Sequence, residues 1–316
     1  EGADASHFLR QDGDRFVTLD VAGPGVINFV RTNHWHGSPW HYIADGVDHV
    51  VTESSTADPL NPVEGSVFIP EAAFPSPLTF TWSETRGADL NWVPIPFAER
   101  FTLAYERTHY GTGYYIYQLV APDIYPLRPF QPEPPDPEVL SLLRRSGEDI
   151  ASPTAERHEG SLDLAVGAEV EIAALRGRRT LVAFKLSAPR SQASALAQAR
   201  LAIRWDDQIE PSVDAPIGYL FGSGSLFNRT NQEWLVRGLL IHIRFDAERV
   251  HLGSYFPMPF ERSARIVMYG GPAALSGVQY ELRSEATHDP PAWTSPFHAT
   301  YRDHGLPELG RDLVLL

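Results

Sequence analysis

The sequence predicts an all-β protein: two tandem antiparallel jelly-roll (β-sandwich) domains with few short helices. Three observations carry that expectation. Apolar residues alternate with polar ones in short runs, so that one face of each run enters a core. Proline (27), glycine (24) and aromatic residues (11%) are abundant, as many short strands joined by tight turns require. The two halves of the chain also share a pattern.

Taken in order, the alternating runs are Val17, Leu19, Val21; Phe101, Leu103, Tyr105; and Tyr115, Tyr117, Leu119 in the first half. In the second half they are Leu201, Ile203, Trp205; Ile241, Ile243, Phe245; and Val278, Tyr280, Leu282. Each predicts a strand with one buried face. Helical periodicity is confined to two places: the stretch after Asp136-Pro137, with Val139, Leu140 and Leu143, and the alanine-rich SQASALAQAR at 191–200. Both read as excursions from a β framework.

The shared pattern runs WHYIADG (40–46), WVPIPFAERFTLAYE (92–106), YYIYQLV (114–120) in the first half. In the second it runs LAIRWDDQ (201–208), YFPMPFERSARIVMY (255–269), VQYELR (278–283). Asp45 precedes Phe97 by 52 positions and Asp207 precedes Phe260 by 53, a register match that a duplicated β domain explains. A Pro-x-Pro-Phe word at a strand entrance in each copy fits paired jelly rolls. Between them, PLRPFQPEPPDPEVL (126–140) is too rich in proline to pair as a strand and predicts an extended connector. The expected organisation is a first jelly roll over 1–125, a linker with a short helix over 126–160, and a second jelly roll with the start of a following segment over 161–316.

Composition narrows the function. The formal net charge is −14, so the surface repels phosphate backbones and anionic headgroups, and nucleic acid is not an expected partner. No apolar run approaches the roughly 20 residues that span a bilayer. The start, EGADASHFLRQDGD, has neither a basic n-region nor an apolar h-region. Cysteine is absent, which excludes disulfides, thiolate catalysis and thiolate-bound metals.

WDDQIEPSVDAPIGYLFGSG (205–224), YFPMPFERSARI (255–266) and SPFHATYRDHG (295–305), preceded by DVAGPGVINFVRT (20–32), YIADG (42–46) and VPIPF (93–97), resemble glycoside hydrolase family 172 over nearly the whole chain. That resemblance implies a tandem jelly-roll protein assembling into trimers or their multiples. It also implies activity on furanosides, including α-D-fructofuranosides and D-arabinofuranosides, through a pair of glutamates and without a cofactor, in an extracellular or periplasmic location. His298 and Arg302, polar members of the last motif, are carried over as substrate-side groups. Neither of the family's glutamate motifs occurs here, so no catalytic residue is transferred. The resemblance therefore places those glutamates on a segment outside this sequence. Tyr219 stands where the family usually has aspartate, and RIVMYGG (265–271) lacks an asparagine often found there.

Retaining hydrolysis needs two carboxyl groups about 5 Å apart. The substitutes inspected are Glu99 with Glu261, in matching places after the two Pro-Phe pairs, and Asp206 with Asp207. The first pair reads as solvated ion-pair partners. The second, adjacent at a strand end, should diverge to opposite faces. Neither is assigned a catalytic role.

RTNHWHGSPWHYIADG (31–46) packs three histidines and two tryptophans into eight positions, 34–41. His34 and His36 share a face if extended and, with His41 and the Asp45 carboxylate, could chelate a metal. Trp35 and Trp40 could stack on a sugar. The reading that accounts for most of the stretch is a hydrophobic corner closing the first jelly roll, with no metal assigned. Two further classes compete with the hydrolase relative: a structural or assembly protein, and a carbohydrate-binding module. The predicted partners are a second and third copy of the chain, docked through LFGSGSLFNRTNQEW (220–234), and furanoside glycans.

Overall fold

The computed structural model describes residues 8–33, 39–55, 61–106, 112–121, 127–287, 290, 294–306 and 308–311. Strands dominate, and the chain divides into two compact units, Glu1–Arg144 and Arg145–Leu316.

The first unit contains β1 (Arg10–Asp12), β2 (Arg15–Ala22), β3 (Gly25–Asn33), β4 (Trp40–Ala44), β5 (Val47–Glu53), β6 (Phe68–Ile69), β7 (Thr79–Phe80), β8 (Asp89–Asn91), β9 (Ile95–Phe97), β10 (Arg100–Tyr105) and β11 (Thr112–Leu119). Two helices join them, α1 (Trp82–Thr85) and α2 (Pro137–Arg144). One sheet runs β1-β2-β10-β4-β5-β6 and the other β11-β3-β8-β7, with β9 also on β3. Between them lies an aromatic core that includes Trp40, Tyr42, Phe74, Phe97, Phe101 and Tyr105. Phe130, from the proline-rich stretch, packs on Phe74 at 6.1 Å and joins that core.

The second unit contains β12 (Glu156–Leu164), β13 (Glu169–Arg176), β14 (Arg179–Pro189), α3 (Ala193–Gln198), β15 (Arg200–Trp205), β16 (Val213–Pro216) and α4 (Ile217–Leu220). It continues with β17 (Trp234–Arg237), β18 (Ile241–Phe245), β19 (Arg249–Ser254), β20 (Met258–Phe260), β21 (Ser263–Tyr269), β22 (Leu275–Ala286) and β23 (Ala299–Thr300). Its larger sheet runs β12-β22-β14-β19-β18-β17, with β20 also on β14. The facing sheet runs β13-β21-β15-β16-β23. The strand order β12-β22-β14-β19 against β13-β21-β15-β16 is that of an eight-stranded jelly roll. In the first unit β11-β3-β8 and β2-β10-β4-β5 repeat it. A counterpart of β12 is missing there among the described residues.

The duplication is visible in a shared turn. Asp45 adopts φ 50° at the β4–β5 hairpin. Its carboxylate accepts the backbone N–H groups of Ala98, Glu99 and Arg100 at 2.8, 2.7 and 3.0 Å. Asp206, φ 55°, accepts those of Glu261, Arg262 and Ser263 at 2.9, 2.6 and 3.2 Å. Phe97 and Phe260 immediately precede the two triplets, so the equivalent of Asp45 is Asp206 rather than Asp207, and Glu261 matches Ala98 rather than Glu99. Both corners hold two consecutive left-handed residues, Asp45–Gly46 (φ 50° and 82°) and Asp206–Asp207 (φ 55° and 63°), so Asp207 matches Gly46 and the equivalent spacings to the Phe are 52 and 54.

One strand face also differs from its alternation. Tyr115 packs against the core, but Tyr117 and Leu119 are exposed. β11 is the edge strand of its sheet, and every residue from Ile116 to Leu119 is exposed; the register shift beside Ile116–Tyr117 leaves its extra residue, Asn28, on β3.

Candidate binding surface at the end of the second unit

β23 lies parallel to β16 and places the last motif beside that strand's Asp214. The segment is tied to the core twice: Trp205 Nε1 donates to the Phe297 carbonyl at 2.8 Å, and the Phe297 ring packs on Phe256 at 5.6 Å. The Tyr301 N–H then reaches the Asp214 carbonyl at 3.2 Å. With the backbone so held, Tyr301 meets Tyr219 of α4 at 5.0 Å between ring centroids, with the planes 33° apart. Tyr219 is 58% exposed. Arg200 on β15 donates Nε to the Asp214 carboxylate. A shallow depression of about 330 Å³ opens beside this pair, bordered by Arg204, Glu210 and Tyr269. The Asp214 carboxylate raises the Arg200 pKa by hydrogen bonding, so the guanidinium is a fixed cation.

His298 and Arg302 flank β23, and both side chains are exposed. They stand beside the tyrosine pair in sequence. The sequence singled out Tyr219 only as a departure and missed Tyr301, Arg200 and Asp214. The last two sit on outward-facing positions of β15 and β16, where the polar phase of the alternation marks them.

The other candidates fall elsewhere. Trp35, His34 and His36 lie outside the described residues. Trp40 is 1% exposed and packs on Phe68 at 5.3 Å, so it fills the first unit's core and presents no face to a sugar. His41 is buried, with Nδ1 2.8 Å from Asp48 and Nε2 2.8 Å from Glu106, so carboxylates engage both ring nitrogens. Asp45 is used up by its three backbone donors. Burial raises its pKa, but those hydrogen bonds outweigh burial and hold it below the usual carboxylate range. Among the described residues no cluster of three or more His, Cys, Asp or Glu is arranged to hold a metal.

Glu261 is engaged by Arg178 at 2.8 Å. Asp206 and Asp207 do not diverge: both reach the 261–263 turn, Asp207 accepting from the Ser263 hydroxyl at 2.9 Å. Their left-handed backbone is not strand geometry, so the alternation rule does not govern them.

Residues 154–274, which supply Tyr219, Arg200 and Asp214, match the family model described as GH172 domain-like. The second unit carries a GH172-like domain. No curated protein matches the chain significantly. Among solved structures, a conserved protein of unknown function from Pseudomonas aeruginosa PAO1 aligns over 86% of this chain and 88% of its own, at 8% identity and a TM-score of 0.18. No helix among the described residues is long and apolar enough to cross a membrane.

Proposed function

We propose that this GH172-like protein binds furanoside glycans, with the Tyr219–Tyr301 pair as the stacking surface, and that its own described residues bind the sugar rather than cleave it. The observation that supports the reading is the tyrosine pair, Tyr219 exposed and Tyr301 half-buried, next to the Arg200–Asp214 ion pair. Aromatic faces take the C–H side of a sugar ring, and flanking charged groups hydrogen-bond its hydroxyls. His298 and Arg302 are exposed polar groups within three residues of Tyr301 and supply further hydrogen bonds. Titration calorimetry with α-D-fructofuranosyl and D-arabinofuranosyl oligosaccharides tests it. Tyr219→Ala should weaken binding roughly three- to tenfold, the equivalent of about 0.5–1.5 kcal/mol. Unchanged affinity in that variant would sink the reading. Turnover of either furanoside by this chain would replace it with hydrolysis.

A self-assembling role is favoured by a separate observation: Phe227, in the 220–234 loop, is exposed. We propose that Phe227 and its loop dock copies of the chain against one another, in a homotrimer or a multiple of it, outside the cytoplasm. Sedimentation at micromolar concentration should show that species, and Phe227→Asp should dissociate it; a monomeric parent chain ends this reading.

A further inference from the structure

The larger sheet of the second unit carries a groove of about 570 Å³ on its outer face. Strand register sets its floor. Glu159, Glu281, Lys185, Gly253 and His242 are successive partners across β12, β22, β14, β19 and β18. Two positions along lies a second row, Ser161, Gln279, Ser187, His251 and Arg244. Because side chains alternate along a strand, both rows face outward, and the row between them, with Leu186, Leu252 and Ile243, faces the core.

We propose that this groove binds a neutral, hydroxyl-rich ligand of mono- or disaccharide size, with His242 and Gln279 as its principal hydrogen-bonding groups. The site lies on the opposite sheet from the tyrosine pair and stands without it.

Two observations carry the proposal. The first is His242. Its residue is 9% exposed. The ring lies flat over Gly253, where an added Cβ would stand 2.6 Å from it. Trp234 at 5.9 Å and Tyr255 at 5.7 Å pack against it. Yet Nδ1 is buried with no hydrogen-bond partner. Leaving a buried polar atom unsatisfied is unfavourable and packing alone does not require it; a small rotation of the ring on ligand binding would let a hydroxyl, or a water brought with it, satisfy Nδ1. Burial first, and then the Lys185 charge, lowers the His242 pKa, so at neutral pH the ring offers one donor and one acceptor, as a hydroxyl does.

The second observation is charge balance. Lys185 Nζ lies 2.9 Å from Asp149 and 3.2 Å from Glu281, and Arg283 lies 2.5 Å from Asp149 and 2.7 Å from Glu281. Burial raises both carboxyls, but the two cations outweigh it and hold both below the usual range. His251 Nε2 is 2.7 Å from Asp246, which that bond and two backbone N–H groups hold well below the usual range. An anion or a metal ion would have to break one of these pairs to gain its own. A neutral polyol leaves them intact and uses Gln279, Ser161, the His242 ring and the spare lone pairs of the clamped carboxylates. The clamp also argues against bond cleavage here, since a general acid needs a raised pKa, not a lowered one.

The test uses the intact chain with isotope-labelled histidine, read by the imidazole resonances of His242 and His251. The probes are maltose, cellobiose and sucrose, with inorganic phosphate and Mg2+ as charged controls. At least one sugar should shift His242 saturably, and phosphate and Mg2+ should not. Gly253→Ala should abolish the response by displacing the ring. Gln279→Ala, which leaves the ring in place, should weaken it at least tenfold, and Tyr219→Ala should leave it unchanged. The proposal is overturned if no sugar moves His242 up to tens of millimolar, if phosphate or Mg2+ moves it, or if Tyr219→Ala removes the response.

Discussion

Asp89 shows how one side chain ties a unit's stability to pH. It is 2% exposed, and its Oδ1 accepts the Trp82 N–H at 2.7 Å. Burial pushes its carboxyl up to about 6, against the lowering effect of hydrogen bonds to the Glu53 side chain and that N–H. A carboxyl whose folded pKa is raised contributes stability that is complete below its unfolded pKa of 3.8 and is lost as pH climbs through about 6. The difference is roughly 2–3 kcal/mol. Asp89→Asn keeps the acceptor for Trp82, offers a donor to Glu53 and removes the charge. It should therefore stabilise the first unit at pH 7.5 while changing little at pH 4, as read by urea denaturation; equal effects at both pH values would refute the assignment. Nothing in the sequence marks Asp89, because its singularity is burial, which neighbours impose. Asp206 is a related case: the sequence pointed to an aspartate at that corner, and only the three backbone N–H groups its carboxylate accepts decide between Asp206 and Asp207.

Strands and their faces were the legible elements. The runs around Leu19, Leu103, Ile203 and Ile243 are strands, and both expected helices form, as α2 and α3. Helices α1 and α4, four residues each, escaped because one turn cannot show a 3.6-residue period. The exposure of Tyr117 and Leu119 escaped because an edge position in a sheet leaves no composition signal. The outward polar phase of β14, β18 and β22 was present in the sequence all along, but only pairing lines Lys185, His242 and Glu281 into one floor. The Gly-Gly that ends RIVMYGG acquires a reason at this level. A Cβ on Gly270 would sit 2.0 Å from the Ala165 carbonyl oxygen, and one on Gly271 2.8 Å from that of Gln198. The β12–β13 turn and the end of α3 press on this corner with backbone, which cannot swing aside. Gly270→Ala should destabilise the second unit by about 1–3 kcal/mol in thermal or denaturant unfolding, with a neutral effect ruling out the close approach.

The two units have separate cores. Phe97, Phe101, Trp40 and their neighbours form one cluster within residues 21–130, and Trp205, Phe260, Phe184 and theirs form another within 164–282, with no residue shared. Each is large enough to fold cooperatively, since domains of this size ordinarily unfold as all-or-none units. Calorimetry of the whole chain should therefore resolve two transitions, and the two substitutions above assign them. Asp89→Asn should raise one midpoint at neutral pH and leave the other in place. Gly270→Ala should lower the second and spare the first. A 1 kcal/mol change moves the midpoint of a domain of 100–200 residues by about 2–8 °C, which a scan resolves easily. Were both midpoints to move together with either substitution, the two cores would be a single cooperative unit, and the duplication would survive in the topology but not in the thermodynamics.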